Sequence, residues 1–417
     1  MGIEGIGAKV LRKEDRRFIT GRGRYVDDMV VPGMKYAAFV RSPHAHATIS
    51  GIDMDEAKAM PGVIGILTGE QLQGDGIGNL ICGWAVSSKD GTPMKMGAWP
   101  ALAVEKVRHV GQAVAVVVAE TQMQARDAAE AVMVDYDELP AVVSAVEALK
   151  DGAPQLHPEA ENNLIFDWEL GDKGATDAAF TNAAHVTRLH IVNNRLVPNP
   201  MEPRAALGHY DAADDHYTCW TTSQNPHVAR LVMSAFYNVA PEHKLRVIAP
   251  DVGGGFGSKI YIYPEEIVCL WASKRTGVPV KWTSDRTEAF LTDAHGRDHV
   301  TEVEMALDAD NKILGLKVDT VANLGAYMSL FSSATPTYLY ATLLSGQYDI
   351  PAIHANVRAV YTNTVPVDAY RGAGRPEATY VIERTMETAA RELGVSPAEL
   401  RRKNFIRSFP HQTPVIM

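Results

Sequence analysis

Apolar and polar positions alternate along the chain in short blocks whose period changes several times. Residues 34–40 and 63–68 read as β-rich runs, and 113–119 is an unbroken apolar stretch with the length of a buried strand. Directly afterwards, 121–134 places Ala125, Ala128, Ala129 and Val132 on one helical face, which predicts a strand-to-helix step. Up to about Asp137 this pattern predicts a compact, self-contained mixed α/β unit. Residues 138–160 lose the periodicity and carry Pro140 and Pro154, the latter closing Asp151-Gly152-Ala153-Pro154, which predicts a linker.

From Asn163 onward strands are expected at 184–192, 244–248, 278–283, 299–307 and 313–323. Helices are expected at 227–237, 264–274, 377–392 and 396–404, the last with Ser396 as N-cap and Pro397 at its first position. This order predicts an α+β architecture rather than a regular doubly wound sheet, and no repeat of 20–50 residues is visible. The segment Phe405–Pro414 reads as a partly apolar loop, expected of a frayed terminus or of a chain completed by something further.

Composition narrows the classes. The 417 residues carry 50 Asp and Glu against 40 Lys and Arg, a net charge of -10, which disfavours a nucleic-acid partner. The longest apolar run falls well short of the ~20 residues of a membrane span, and charges interrupt the first 25 residues, so a cytoplasmic protein is expected. Cys82, Cys219 and Cys269 are far apart, which suggests neither a disulfide framework nor a protein-ligated metal cluster. His44 and His46 have HxH spacing but no third ligand near in sequence, so no metal-ligating residue is assigned. A serine hydrolase is unsupported, since no GxSxG is present.

Three short segments carry candidate chemistry. Asp251-Val252-Gly253-Gly254-Gly255-Phe256-Gly257-Ser258-Lys259 follows a predicted strand, and its glycines free the backbone to bring N–H groups close to a ligand. It matches neither the dinucleotide GxGxxG nor the Walker loop, and a tight turn without ligand is the alternative reading. Ala369-Tyr370-Arg371-Gly372-Ala373-Gly374-Arg375-Pro376 frames glycines with guanidinium donors suited to an oxo or phosphate group. In Thr222-Ser223-Gln224-Asn225-Pro226-His227 the amide of Gln224 can donate to an oxo ligand without adding charge. Met201-Glu202-Pro203-Arg204 adds an acid in an apolar turn, ordinarily explained by a salt bridge.

Taken in order, these segments resemble the molybdenum-binding large subunit of the molybdenum hydroxylases, the xanthine dehydrogenase, aldehyde oxidase and carbon monoxide dehydrogenase family. Gly21-Arg22-Gly23-Arg24-Tyr25-Val26-Asp27-Asp28 and Phe39-Val40-Arg41-Ser42-Pro43-His44-Ala45 look like its α/β hammerhead domain. The resemblance implies a hammerhead domain at 1–137, a linker at 138–160 and a first molybdopterin-binding domain at 161–417. It also implies a molybdenum–molybdopterin cofactor, in the cytosine dinucleotide form, held by Gln224, Gly254, Gly255, Phe256, Gly257 and Arg371. Glu202, Ile260 and Ala373 would line the substrate pocket.

Family members carry a second molybdopterin-binding domain that supplies the general-base glutamate, and the chain ends before it, so no residue here is assigned that role. The resemblance further implies an iron–sulfur subunit, an FAD subunit, and a subunit supplying the missing domain. The copper type of carbon monoxide dehydrogenase has a cysteine where this chain has Gly372. Purine-oxidising members have a glutamate and a phenylalanine where Ile260 and Ala373 stand. These differences favour an aldehyde or N-heteroaromatic substrate hydroxylated with water as oxygen source, the alternatives being a carbon monoxide-type substrate without the copper cysteine, or a non-catalytic remnant or assembly protein of the same fold.

Overall fold

The computed structural model describes residues 5–415. Its larger sheet has seven strands, in the spatial order Leu245–Ile248, His216–Thr221, Ala205–Asp211, Val280–Thr283, Lys35–Arg41, Ala113–Ala119 and Val63–Thr68. The first four come from the second half of the chain and the last three from the first. A short parallel pairing of Lys35 with Val280 and Tyr36 with Lys281 forms the seam. This corrects the expectation of a self-contained first unit. Ala37–Val40 are buried in succession, so Lys35–Arg41 is covered on both faces, and leaving it as an edge would have left a row of N–H and C=O groups unpaired. Ala113–Ala119 is buried at every position between its two antiparallel neighbours, which is what its unbroken apolar run requires.

The helix expected over 121–134 is shorter, Gln122–Glu130, with the Thr121 hydroxyl accepting the Gln124 N–H at its start. The chain then switches to a two-residue period and pairs Met133–Glu138 with Ala47–Asp53 in a small three-stranded sheet. The segment 138–160 is packed rather than loose. Val142, Ala145, Ala148, Leu156 and Ala160 are buried in the main core, and a short helix spans Ala145–Ala148. Side chains replace the missing periodicity as its fixings: Asn363 accepts the Val142 N–H at 2.9 Å, and Asn163 donates to the carbonyls of Ala148 and Pro154, each at 3.0 Å.

The second sheet orders His185–Asn193, His299–Leu307, Ile313–Asn323, Ile353–Val360 and Leu164–Gly171. Helix Arg375–Glu392 packs against its first two strands with Ala378, Val381, Ile382, Thr385, Met386 and Ala389 buried, an i, i+3, i+4 stripe. Helix Pro264–Thr276 is buried over its first ten residues and packs on Ala205–Asp211. The mixture of helices with these sheets is the α+β class expected. His44 and His46 lie in the turn between two strands: His46 is buried against the Pro140 carbonyl, while His44 stands beside Tyr136. Near the chain's end Phe405 stacks on Tyr348, and Phe409 is exposed.

Candidate functional site

Strands His216–Thr221 and Leu245–Ile248 are parallel neighbours, so the segments that follow them leave the sheet on the same side. One leads to Gln224, just before helix Pro226–Ala235, and the other leads to the glycine loop. The arginine loop 369–374, which precedes helix Arg375–Glu392, closes against them. The Gln224 N–H donates to the Lys259 carbonyl at 2.7 Å, and Gln224 Oε1 accepts the Gly257 N–H at 2.9 Å. An oxygen so occupied turns the amide NH2 the other way, where it remains a donor.

Sterics explain two of the glycines. A Cβ on Gly255 would overlap the Gln224 amide, and one on Gly257, whose φ is +108°, would overlap the backbone carbonyl of Ala369. Between them Phe256 adopts φ 53° with its ring half-exposed, and its carbonyl accepts the Arg371 N–H at 2.8 Å. The Arg371 guanidinium lies 6.0 Å from the Phe256 ring centroid and takes no hydrogen bond or ion pair among the described residues. Residues 371–374 all have positive φ, including the non-glycine residues Arg371 and Ala373, a conformation that persists only when its surroundings impose it. The result is an outward-facing cradle of an amide donor, an aromatic ring and a guanidinium on strained backbone.

Charge holds the cradle from beneath. Asp251 begins the glycine loop, pairs with Arg17 and accepts the Arg24 N–H at 2.8 Å; the Arg17 guanidinium holds its carboxyl below the usual range. Glu202 Oε2 accepts the Gly253 N–H at 2.7 Å and the ammonium of buried Lys259 at 2.9 Å. Two residues on, buried Arg204 reaches Asp293 and, at 2.7 Å, Glu265, which Arg41 also contacts at 2.7 Å. Burial opposes ionisation of Glu265, but Arg204 and Arg41 hold its pKa down to about 2.

The arginine loop is held differently. Arg297 donates to the carbonyls of Tyr370 and Arg371, at 2.6 and 3.0 Å, and pairs with buried Glu377. The Tyr261 hydroxyl donates to the Ala369 carbonyl. Buried Asp368 accepts the N–H groups of Phe331 and Ala369 at 2.9 and 2.6 Å, and burial pushes its pKa up to about 7. Glu202, Asp293 and Glu377 each leave one buried carboxylate oxygen without a protein partner among the described residues, an acceptor open to ordered water or a ligand donor.

The structure therefore brings Gln224, Gly254, Gly255, Phe256, Gly257 and Arg371 together, with Ala373 on the same loop as Arg371. Ile260 is half-buried against the main core, and Glu202 lies against the loop through Gly253 and Lys259. The sequence reading left Lys259, Asp251, Arg297 and Asp368 without a role. For Lys259 a signal exists: a lysine two residues after the last glycine, with one acid, Glu202, isolated in an apolar turn.

The chain matches the profile of the molybdopterin cofactor-binding domain over residues 156–405, and that of the aldehyde oxidase and xanthine dehydrogenase a/b hammerhead domain over 20–140. It is 41% identical to the carbon monoxide dehydrogenase large chain of Hydrogenophaga pseudoflava, over 99% of this chain and 52% of that one. The solved structure of quinoline 2-oxidoreductase from Pseudomonas putida 86 superposes with a TM-score of 0.88 at 35% identity, covering 96% of this chain and 50% of that one. The nicotinate dehydrogenase large molybdopterin subunit of Eubacterium barkeri is 28% identical, over 95% of this chain and 88% of that one. The chain thus spans about half the length of the first two.

Proposed function

Because the chain belongs to the aldehyde oxidase and xanthine dehydrogenase family, with its hammerhead and molybdopterin cofactor-binding domains, we propose that it is the molybdopterin-binding part of a molybdenum hydroxylase. The observation that carries this reading is the cradle, where Gln224, Phe256 and Arg371 meet from three separate segments. The donor set fits the group: an uncharged amide and a free guanidinium face outward, and a Cβ would strike the Gln224 amide at Gly255 and the Ala369 carbonyl at Gly257. When bound, the cofactor supplies the redox centre at which a substrate C–H bond is exchanged for C–O with water as oxygen source.

Within this assignment Gln224 would donate through its amide to an oxygen of the cofactor, and its fixed orientation would lower the cost of stabilising charge as it develops. Phe256 would present its ring beside the cofactor, Gly254 to Gly257 would bring backbone to the pterin, and Arg371 would neutralise charge from the opposite loop. The pterin would hold the metal, so no side chain need ligate it. The cytosine dinucleotide form is proposed on the resemblance of the motifs.

The substrate we propose is an aldehyde or an N-heteroaromatic ring. A copper-binding cysteine after Arg371 is disfavoured by the backbone itself: Gly372 has φ +107°, and a Cβ there would press on the Pro376 ring. The three cysteines are all buried and unpaired, which supports a reducing, cytoplasmic setting. Among the described residues no helix is long and apolar enough to cross a membrane.

We assign no general base among these residues, and we place the chain in a complex with an iron–sulfur subunit and an FAD subunit. The test is molybdenum analysis of the chain alone and co-expressed with a candidate partner, then turnover on a panel of aldehydes, heteroaromatics, xanthine and carbon monoxide. Metal bound in the co-expressed complex, with aldehyde or heteroaromatic turnover, is expected. At full molybdenum occupancy Gln224→Ala and Arg371→Ala should each lower turnover by about 100-fold, the scale of a lost oxyanion donor. Unchanged rates would remove them from the site.

A further inference from the structure

Lys259 is buried, and its ammonium makes two hydrogen bonds to the same residue, the Glu202 carbonyl at 2.8 Å and carboxylate at 2.9 Å. Its own carbonyl accepts the Gln224 N–H at 2.7 Å. One lysine thus ties together the turn at 202, the end of the glycine loop and the segment that presents the amide. Glu202 closes the circuit: its carboxylate accepts the Gly253 N–H, and its own N–H donates to the Gly253 carbonyl at 3.2 Å. No Cβ fits on Gly253, because it would press on Glu202. Pro203 then leads directly to Arg204, which is fixed in the buried array with Glu265 and Asp293.

A buried ion pair is a poor way to gain stability, since apolar residues of similar volume often do as well or better. Apolar residues could not address the Gly253 N–H and the Glu202 carbonyl, the contacts at the two ends of the segment 253–259, whose backbone holds Gln224. We infer that Glu202 and Lys259 are a positioning pair, which sets where Gln224 and Phe256 stand relative to the cofactor, and that Glu202 acts on the loop rather than on substrate. This rests on the reading of the cradle given above.

The experiment compares Glu202→Gln, Lys259→Met and the double variant in the assembled complex, each normalised to molybdenum content. Three readouts are taken: kcat, KM, and the paramagnetic resonance signal of the partly reduced metal centre. Each single variant should lower kcat about tenfold, the scale for residues that orient a metal site, with KM nearly unchanged and the resonance signal altered. The double variant, which leaves no unpaired buried charge, should recover part of the loss. A raised KM with unchanged kcat would make Glu202 a substrate contact. Wild-type kcat, KM and signal with only a lowered melting temperature would reduce the pair to structural support. Either result overturns the inference while leaving the cradle reading intact. A wild-type complex without molybdenum overturns that reading and the inference with it. If Lys259→Met does not fold, Glu202→Gln, which keeps an acceptor for Gly253, decides between the same outcomes.

Discussion

The glycine loop and the arginine loop meet at Phe256 and Arg371, yet they are held by different physics. The glycine loop is gripped by ionised pairs: Asp251 by Arg17, Glu202 by Lys259, and the turn below by Arg204 with Asp293 and Glu265. The arginine loop rests on carbonyls capped by Tyr261 and by Arg297, whose single ion pair is with Glu377, and on Asp368, a buried acid without a cation in contact among the described residues. A loop whose glycines leave it free to move needs directional charge to fix it. A loop of four consecutive positive φ angles is already committed, and needs its exposed carbonyls satisfied.

The largest effect is expected at Arg204. Replacing it with methionine removes the partner of Asp293 and one partner of Glu265, and should cost about 3–5 kcal/mol, read from the denaturant midpoint. A loss under 1 kcal/mol would mean the array does not carry the glycine loop. Next is Gly257→Ala, which touches both loops, because its Cβ would meet the Ala369 carbonyl at a left-handed backbone. We expect a loss of about 1–3 kcal/mol together with loss of molybdenum, whereas full occupancy would show that the loops can separate without harm.

A third effect is visible only against pH. The folded pKa of Asp368, about 7, lies above its unfolded value, so its contribution to stability is complete below about pH 4 and is lost as pH rises through 7. Asp368→Asn should flatten that part of the stability–pH profile. Glu265 has the opposite sign: its contribution is present above the ordinary glutamate range and is lost as pH falls toward 2. A profile unchanged by Asp368→Asn would place the ionisation elsewhere.

The sequence disclosed what depends on local pattern. The run at 113–119, the strands His299–Leu307 and Ile313–Asn323, and the stripe of helix Arg375–Glu392 follow from period and apolar content. Strands Ala205–Asp211 and His216–Thr221 were missed, since polar residues such as His209, Asp211, Thr218 and Thr221 break up their apolar signal. The seam between Lys35 and Val280 is 245 positions long in sequence and leaves no local trace. At the site, the residues that face a ligand could be named because glycines, a glutamine and arginines form recognisable motifs. The residues that hold them, Lys259, Arg297 and Asp368, declare themselves only through their partners in space.

In the proposed function the meeting of Gln224 with the glycine loop holds the cofactor, and Gly255→Ala disturbs that meeting with a single methyl group. The added Cβ would displace the Gln224 amide, a flexible side-chain end, rather than the backbone, so the fold should survive with its melting temperature nearly unchanged. Molybdenum per chain would be measured in the co-expressed complex, wild type beside variant. We predict close to one metal per chain in the wild type and loss of most of it in the variant. Equal molybdenum in both, with equal turnover, would contradict the account.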